Sequence, residues 1–156
     1  MGNHFKHTNF FFWQKWLVYT SLLFALSGIL FACFGRSFLF QPYEKMLAAA
    51  MWNGAEMPKD AALLSAFVYG PFGGTIACCY ILLAFIAHHP FKEKQSWSRN
   101  AIIIGFGVWV VIDSLTCLYF KVYPQIYIIN AFSILTKALP IIFTWKEFSR
   151  EGKTRL

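Results

Sequence analysis

The sequence predicts an all-α fold: an integral membrane four-helix bundle with both termini cytoplasmic and a short interfacial helix in the first outer loop. Three observations carry this expectation. Of 156 residues, 58% are hydrophobic and only 13% are charged, against about 25% charged in an ordinary soluble domain. The apolar residues gather into four blocks, about 14–35, 61–87, 101–120 and 126–144, each close to the roughly 20 residues that cross a ~30 Å hydrocarbon core. The basic residues are unevenly shared between the two sides these spans define. Nine (Lys6, Lys15, Lys92, Lys94, Arg99, Lys146, Arg150, Lys153, Arg155) fall on the side of the termini and four (Arg36, Lys45, Lys59, Lys121) on the other. The positive-inside rule then places both termini in the cytoplasm, in an inner or plasma membrane. Little chain lies outside the blocks, so residues 1–156 read as a single transmembrane domain.

The first block follows Lys6 and Lys15, and the run 30–33 loosely fits a lipoprotein cleavage box. Phe31 suits that box poorly and the apolar run is long for a signal segment, so a retained span is expected. Met1-Gly2 is not a myristoylation signal, because position 6 is Lys. Between the first two spans, residues 42–52 start with Pro42, suited to a first helical turn, and end at the turn signal Asn53-Gly54. Their apolar surface predicts a short helix lying at the outer membrane face. The second span contains Gly70 and Gly74, a spacing that lets helices approach closely, and Pro71, which removes a backbone donor and should bend the helix. The fourth span carries Pro140. Trp13, Trp16, Tyr43, Trp97, Tyr119, Tyr123 and Trp145 sit where interfacial aromatic anchors belong.

The third span holds the most telling residue. Asp113 lies deep in an apolar run, where a charge costs at least a few kcal/mol and commonly marks a functional site. At about 1.5 Å per residue, Asp113 lies roughly 18 Å from the cytoplasmic end of its span. Ser27, Thr75, Asn130 and Ser133 fall at about 16–21 Å on the same scale. Each helix thus brings polar side chains to similar depth. Trp109, Asp113 and Thr116 or Cys117 share one face of the third helix, and Asn130, Ser133 and Lys137 one face of the fourth. The candidate ligand-binding set is therefore Asp113, Trp109, Asn130, Ser133, Lys137, Thr75, Ser27 and Thr116. Lys137, only about 10 Å deep, either reaches outward to Asp113 or turns its ammonium toward the head groups.

Other chemistry is sparse. Cys33, Cys78, Cys79 and Cys117 make no C-x-x-C pair and read as small buried hydrophobes. His88 and His89 lack the spacing of a metal site, and His4 and His7 belong to a loose amino terminus. No phosphate loop, dinucleotide glycine fingerprint, metalloprotease motif or nucleophile elbow is present. A single deep acidic residue excludes a paired-carboxylate mechanism. No catalytic set, cofactor or metal is expected, and the +7 net charge points to lipid head groups, not nucleic acid. The size and four-span plan resemble small tetraspan families such as glutathione-linked eicosanoid enzymes and sterol-isomerase-like binders. The arginine and glutamate helix motifs of the former are absent, and plan alone carries no function.

Three functions fit. The first is a pocket around Asp113 for a lipid-like or amphipathic small molecule. The second is a proton-coupled transporter or pore subunit titrating at Asp113. The third is an accessory or assembly protein, homo-oligomeric or bound to a membrane-protein partner, with Gly70, Gly74, Gly105 and Gly107 facing that partner.

Overall fold

The computed structural model describes the backbone of residues 4–151 and the side chains of residues 9–148. Lys6, Arg150, Lys153 and Arg155, with His4 and His7, lie outside the described side chains. The described chain is all-helical: α1 (His4–Phe34), a 3-10 turn (Phe38–Phe40), α2 (Gln41–Met51), α3 (Lys59–His88), α4 (Ser96–Tyr119), a π-helical segment (Gln125–Asn130) and α5 (Ala131–Glu151). Four stretches are long and apolar enough to cross a membrane: Asn9–Phe34, Lys59–His88, Ser96–Tyr119 and Gln125–Phe148. They agree with the four blocks read from the sequence, a few residues longer at most ends.

The packing is inverted relative to a water-soluble bundle. The buried set includes Gln14, Ser21, Asn130, Ser133, Thr136, Lys137 and Thr144, while Leu, Ile, Phe and Val side chains such as Leu23, Phe67, Ile104 and Phe143 stand exposed. An apolar exterior of this extent is stable only against hydrocarbon or another protein. On α1 the buried positions are Phe10, Gln14, Leu17, Ser21, Ala25, Gly28 and Phe31, a three-four repeat that makes one narrow stripe.

That stripe meets α3 through small residues. A Cβ on Gly28 would sit 2.7 Å from the Ala77 backbone nitrogen, and one on Gly73 would sit 2.5 Å from both the Gly28 carbonyl oxygen and the Ala32 nitrogen. The close approach the sequence assigns to Gly70 and Gly74 is made instead by Gly73 against Gly28. Gly70 and Gly74 have no atom within 4 Å of such a Cβ, because they are turned about 100° per residue off the Gly73 face. α3 continues past Pro71, and the Thr75 hydroxyl donates to the Pro71 carbonyl (2.9 Å).

α5, with the π-helical segment before it, joins this pair by a buried stripe, Asn130, Ser133, Lys137, Ile141, Thr144 and Phe148. At the end bearing the termini, Phe10, Phe91 and Phe148 cluster, and Gln14 donates to the Ala87 carbonyl (2.9 Å). Lys94 pairs with Glu147 at 2.9 Å. α4 is the peripheral helix. It meets the terminal-end core through Ile102 and lays the Arg99 guanidinium 4.1 Å from the Trp145 ring. At its other end Asp113 and Cys117 turn inward, whereas nothing lies within 4 Å of a Cβ on Gly105 or Gly107.

α2 matches the expected short helix, with Pro42 in its first turn. Asn53 and Gly54 adopt positive φ (52° and 81°), and the Gly54 N–H returns to the Ala48 carbonyl at 3.1 Å. Tyr43 anchors α2 against Phe31 and Tyr69, with ring centroids 5.7 and 6.4 Å away. Of the cysteines only Cys117 is buried; Cys33, Cys78 and Cys79 are exposed on outward faces, and all four are free thiols.

Candidate functional site at Asp113

α4 turns one stripe toward the bundle: Ile102, Phe106, Trp109, Asp113 and Cys117, spaced by threes and fours as one helix face requires. Asp113 is half-buried on it. Its Oδ2 accepts from Asn130 Nδ2 at 2.7 Å and from the Cys117 thiol at 3.5 Å. Gln125 Nε2 lies 3.2 Å from both carboxylate oxygens. Asn130 Nδ2 also donates to Ser114 Oγ (3.2 Å). All these partners are neutral. Among the described residues the ion pairs are Arg36–Glu44 and Lys94–Glu147, so no basic group lies within ion-pair distance of Asp113. A carboxylate has about four acceptor positions; Oδ1 shares one long bond and keeps the others open.

The convergence of Gln125 and Asn130 depends on the π-helical segment. Five residues of α-helix rotate by about 500°, leaving such a pair about 140° apart. Bonding from i to i+5 brings residues five apart onto nearly one face. Both amides therefore reach one carboxylate. The arrangement also leaves a debt: Asn130 is 1% exposed, and its Oδ1 has no hydrogen-bond partner among the described residues, an omission worth about 1–3 kcal/mol.

Tyr43 of α2 belongs to the same neighbourhood. Burial, with smaller contributions from the nearby Tyr69, Asp113 and Cys117 groups, pushes its phenol up to about 12. It therefore stays a neutral hydroxyl throughout the physiological range. Trp109, half-buried one turn from Asp113, packs on Phe106 with centroids 5.2 Å apart.

Lys137 lies elsewhere. It is 0% exposed, donates to Thr136 Oγ1 at 3.0 Å, and holds its ammonium 3.6 Å from the Phe24 ring centroid and 4.7 Å from that of Tyr80. Cation–π contact takes the place of a carboxylate, and the ammonium neither meets Asp113 nor emerges at the surface. Ser133 is buried one turn away on the same face.

The structure thus brings together Asp113 and Asn130, with Trp109 beside them, and sets Ser133 and Lys137 in a second buried group. Ser27, Thr75 and Thr116 take no part in either. They are exposed and donate to their own helices, at the carbonyls of Phe24 (2.8 Å), Pro71 (2.9 Å) and Ile112 (2.8 Å). Gln125 and Ser114 escaped the sequence reading: Gln125 is off the Asn130 face in ideal α geometry, and Ser114 had no signal beyond adjacency to Asp113. No group of three His, Cys, Asp or Glu suited to a metal occurs among the described residues. Two surface clefts, of about 400 and 370 Å³, lie away from Asp113. No family model, curated protein or solved structure matches the chain.

Proposed function

We propose that the protein binds a lipid-like or amphipathic small molecule within the membrane, with its donor-bearing head on Asp113 and its apolar part along the Phe106–Trp109 face of α4. One observation carries this reading. The carboxylate is oriented by neutral donors, has no counter-cation among the described residues and keeps further acceptor positions on Oδ1 beyond its single Gln125 bond, on the helix least enclosed by its neighbours. A ligand arriving sideways from the bilayer supplies the missing donor. In this reading both termini are cytoplasmic in an inner or plasma membrane, following the nine-to-four distribution of basic residues. α2 lies along the outer interface, where Tyr43 covers the site. Native mass spectrometry of protein extracted in mild detergent tests the proposal. A retained amphiphile should be lost by at least tenfold in Asp113→Ala and weakened in Asp113→Asn. Equal retention in all three, or no retained species in the unmodified protein, rejects it.

A second reading, proton-coupled transport or a pore subunit, is favoured by the buried polar line along the π-helical segment and α5: Asn130, Ser133, Lys137 and Thr144. In proteoliposomes, Asp113→Asn should abolish pH-dependent flux. Absence of flux in the unmodified protein removes this alternative.

A further inference from the structure

The α3–α4 connection carries a site unrelated to Asp113. A shallow, open depression of about 400 Å³ lies there among Phe85, His89, Glu93, Gln95 and Trp97, with room for a small head group held at the surface. Its one carboxylate is held in place. Trp97 Nε1 donates to Gln95 Oε1 (2.6 Å) and Gln95 Nε2 donates to Glu93 Oε2 (2.6 Å), leaving Oε1 open. Lys94, next in sequence, is committed to Glu147, and Glu93 has no ion-pair partner among the described residues. Aromatic faces complete the walls: Phe85 and His89 stack at 6.1 Å and 13°, and Phe85 and Trp97 are 61% and 56% exposed.

An open carboxylate beside exposed aromatic faces is complementary to an organic cation, which gains ion pairing and cation–π contact together. Position decides which cation. The cleft lies where the spans Lys59–His88 and Ser96–Tyr119 meet their connecting turn, the level of lipid head groups. Below it Leu82 and Phe85 present exposed apolar surface along which acyl chains can lie.

We infer that this cleft holds the ammonium head group of a zwitterionic phospholipid, with the ammonium between Glu93 and the Trp97 and Phe85 rings. Its selectivity runs against its setting, since the surrounding basic residues attract anionic lipid.

The full chain in non-ionic detergent is titrated with phosphatidylethanolamine, phosphatidylcholine and phosphatidylglycerol of identical acyl chains, and bound lipid is read by native mass spectrometry. One zwitterionic lipid should bind more tightly than phosphatidylglycerol, and Glu93→Gln and Trp97→Ala should each weaken it by roughly three- to tenfold. Both side chains are exposed, so the fold tolerates these changes, and Asp113→Asn should leave this binding unchanged. Phosphatidylglycerol binding as tightly, or either cleft variant binding like the unmodified protein, overturns the inference. So does displacement by water-soluble phosphoethanolamine or phosphocholine at concentrations comparable to the lipid, which would make the ligand a free solute.

Discussion

Asn130 carries two opposing duties on one carboxamide. Its Nδ2 orients Asp113 and Ser114, while its Oδ1 is buried without a partner. Residues that trade stability for a fixed carboxylate belong at sites more than in scaffolds. Tyr43 gives this region a measurable pH signature. Its phenol titrates near 12 in the folded protein, against about 10 in an unfolded chain. The folded state therefore holds the proton more tightly, and the stabilisation this provides is complete below pH ~10. It is lost as pH rises from about 10 toward 12. Thermal unfolding in detergent between pH 9 and 11.5 should show a decline that Tyr43→Phe makes shallower. Parallel declines in the two proteins would mean that Tyr43 is not the group responsible.

At the scale of elements, two contacts define the architecture. The α1–α3 seam depends on absent side chains, since Gly28 and Gly73 let the backbones touch where lipid is as apolar as any side chain and supplies no hydrophobic drive. Gly73→Ala should destabilise the protein by about 1–3 kcal/mol, because the new Cβ meets backbone that cannot rotate away. Gly74→Ala, one residue on and facing outward, should be neutral within about 0.5 kcal/mol. Melting temperatures of the pair compare the two directly; equal effects would contradict the seam. The second contact joins α4 to the π-helical turn, where widened winding brings Gln125 and Asn130 to one carboxylate. π-Bulges are uncommon and recur at functional sites.

For the molecule as a whole, the notable feature is a buried lysine amine at the junction of α1, α3 and α5. Lys137 is held by two rings and a hydroxyl, with no carboxylate in ion-pair range among the described residues. A buried amine with so few hydrogen-bond partners stabilises less than an apolar side chain of equal length. Lys137→Met should therefore raise the melting temperature, by the equivalent of about 1 kcal/mol once the lost cation–π contact is subtracted. A lower melting temperature would show that the ammonium holds the three helices together. If the second functional reading holds, the same substitution removes flux while the fold gains stability.

The four apolar helices and their approximate lengths were legible because they follow from apolar run length and a fixed rise per residue. The short α2 followed from Pro42 and Asn53-Gly54, whose backbone preferences are local. Rotation about each helix axis was not legible. Where the surroundings are as apolar as the interior, exposed and buried faces look alike in sequence, so Ser27 and Thr75, chosen by depth, and Thr116, chosen by helical spacing, face outward. Gln125 was hidden for a related reason: its place beside Asn130 exists only in a π-helical turn. Packing chose Gly73 over Gly70 and Gly74, and gave Lys137 aromatic rings in place of a carboxylate. Rise per residue belongs to the chain, whereas the azimuth of each helix is set by the neighbours it packs against.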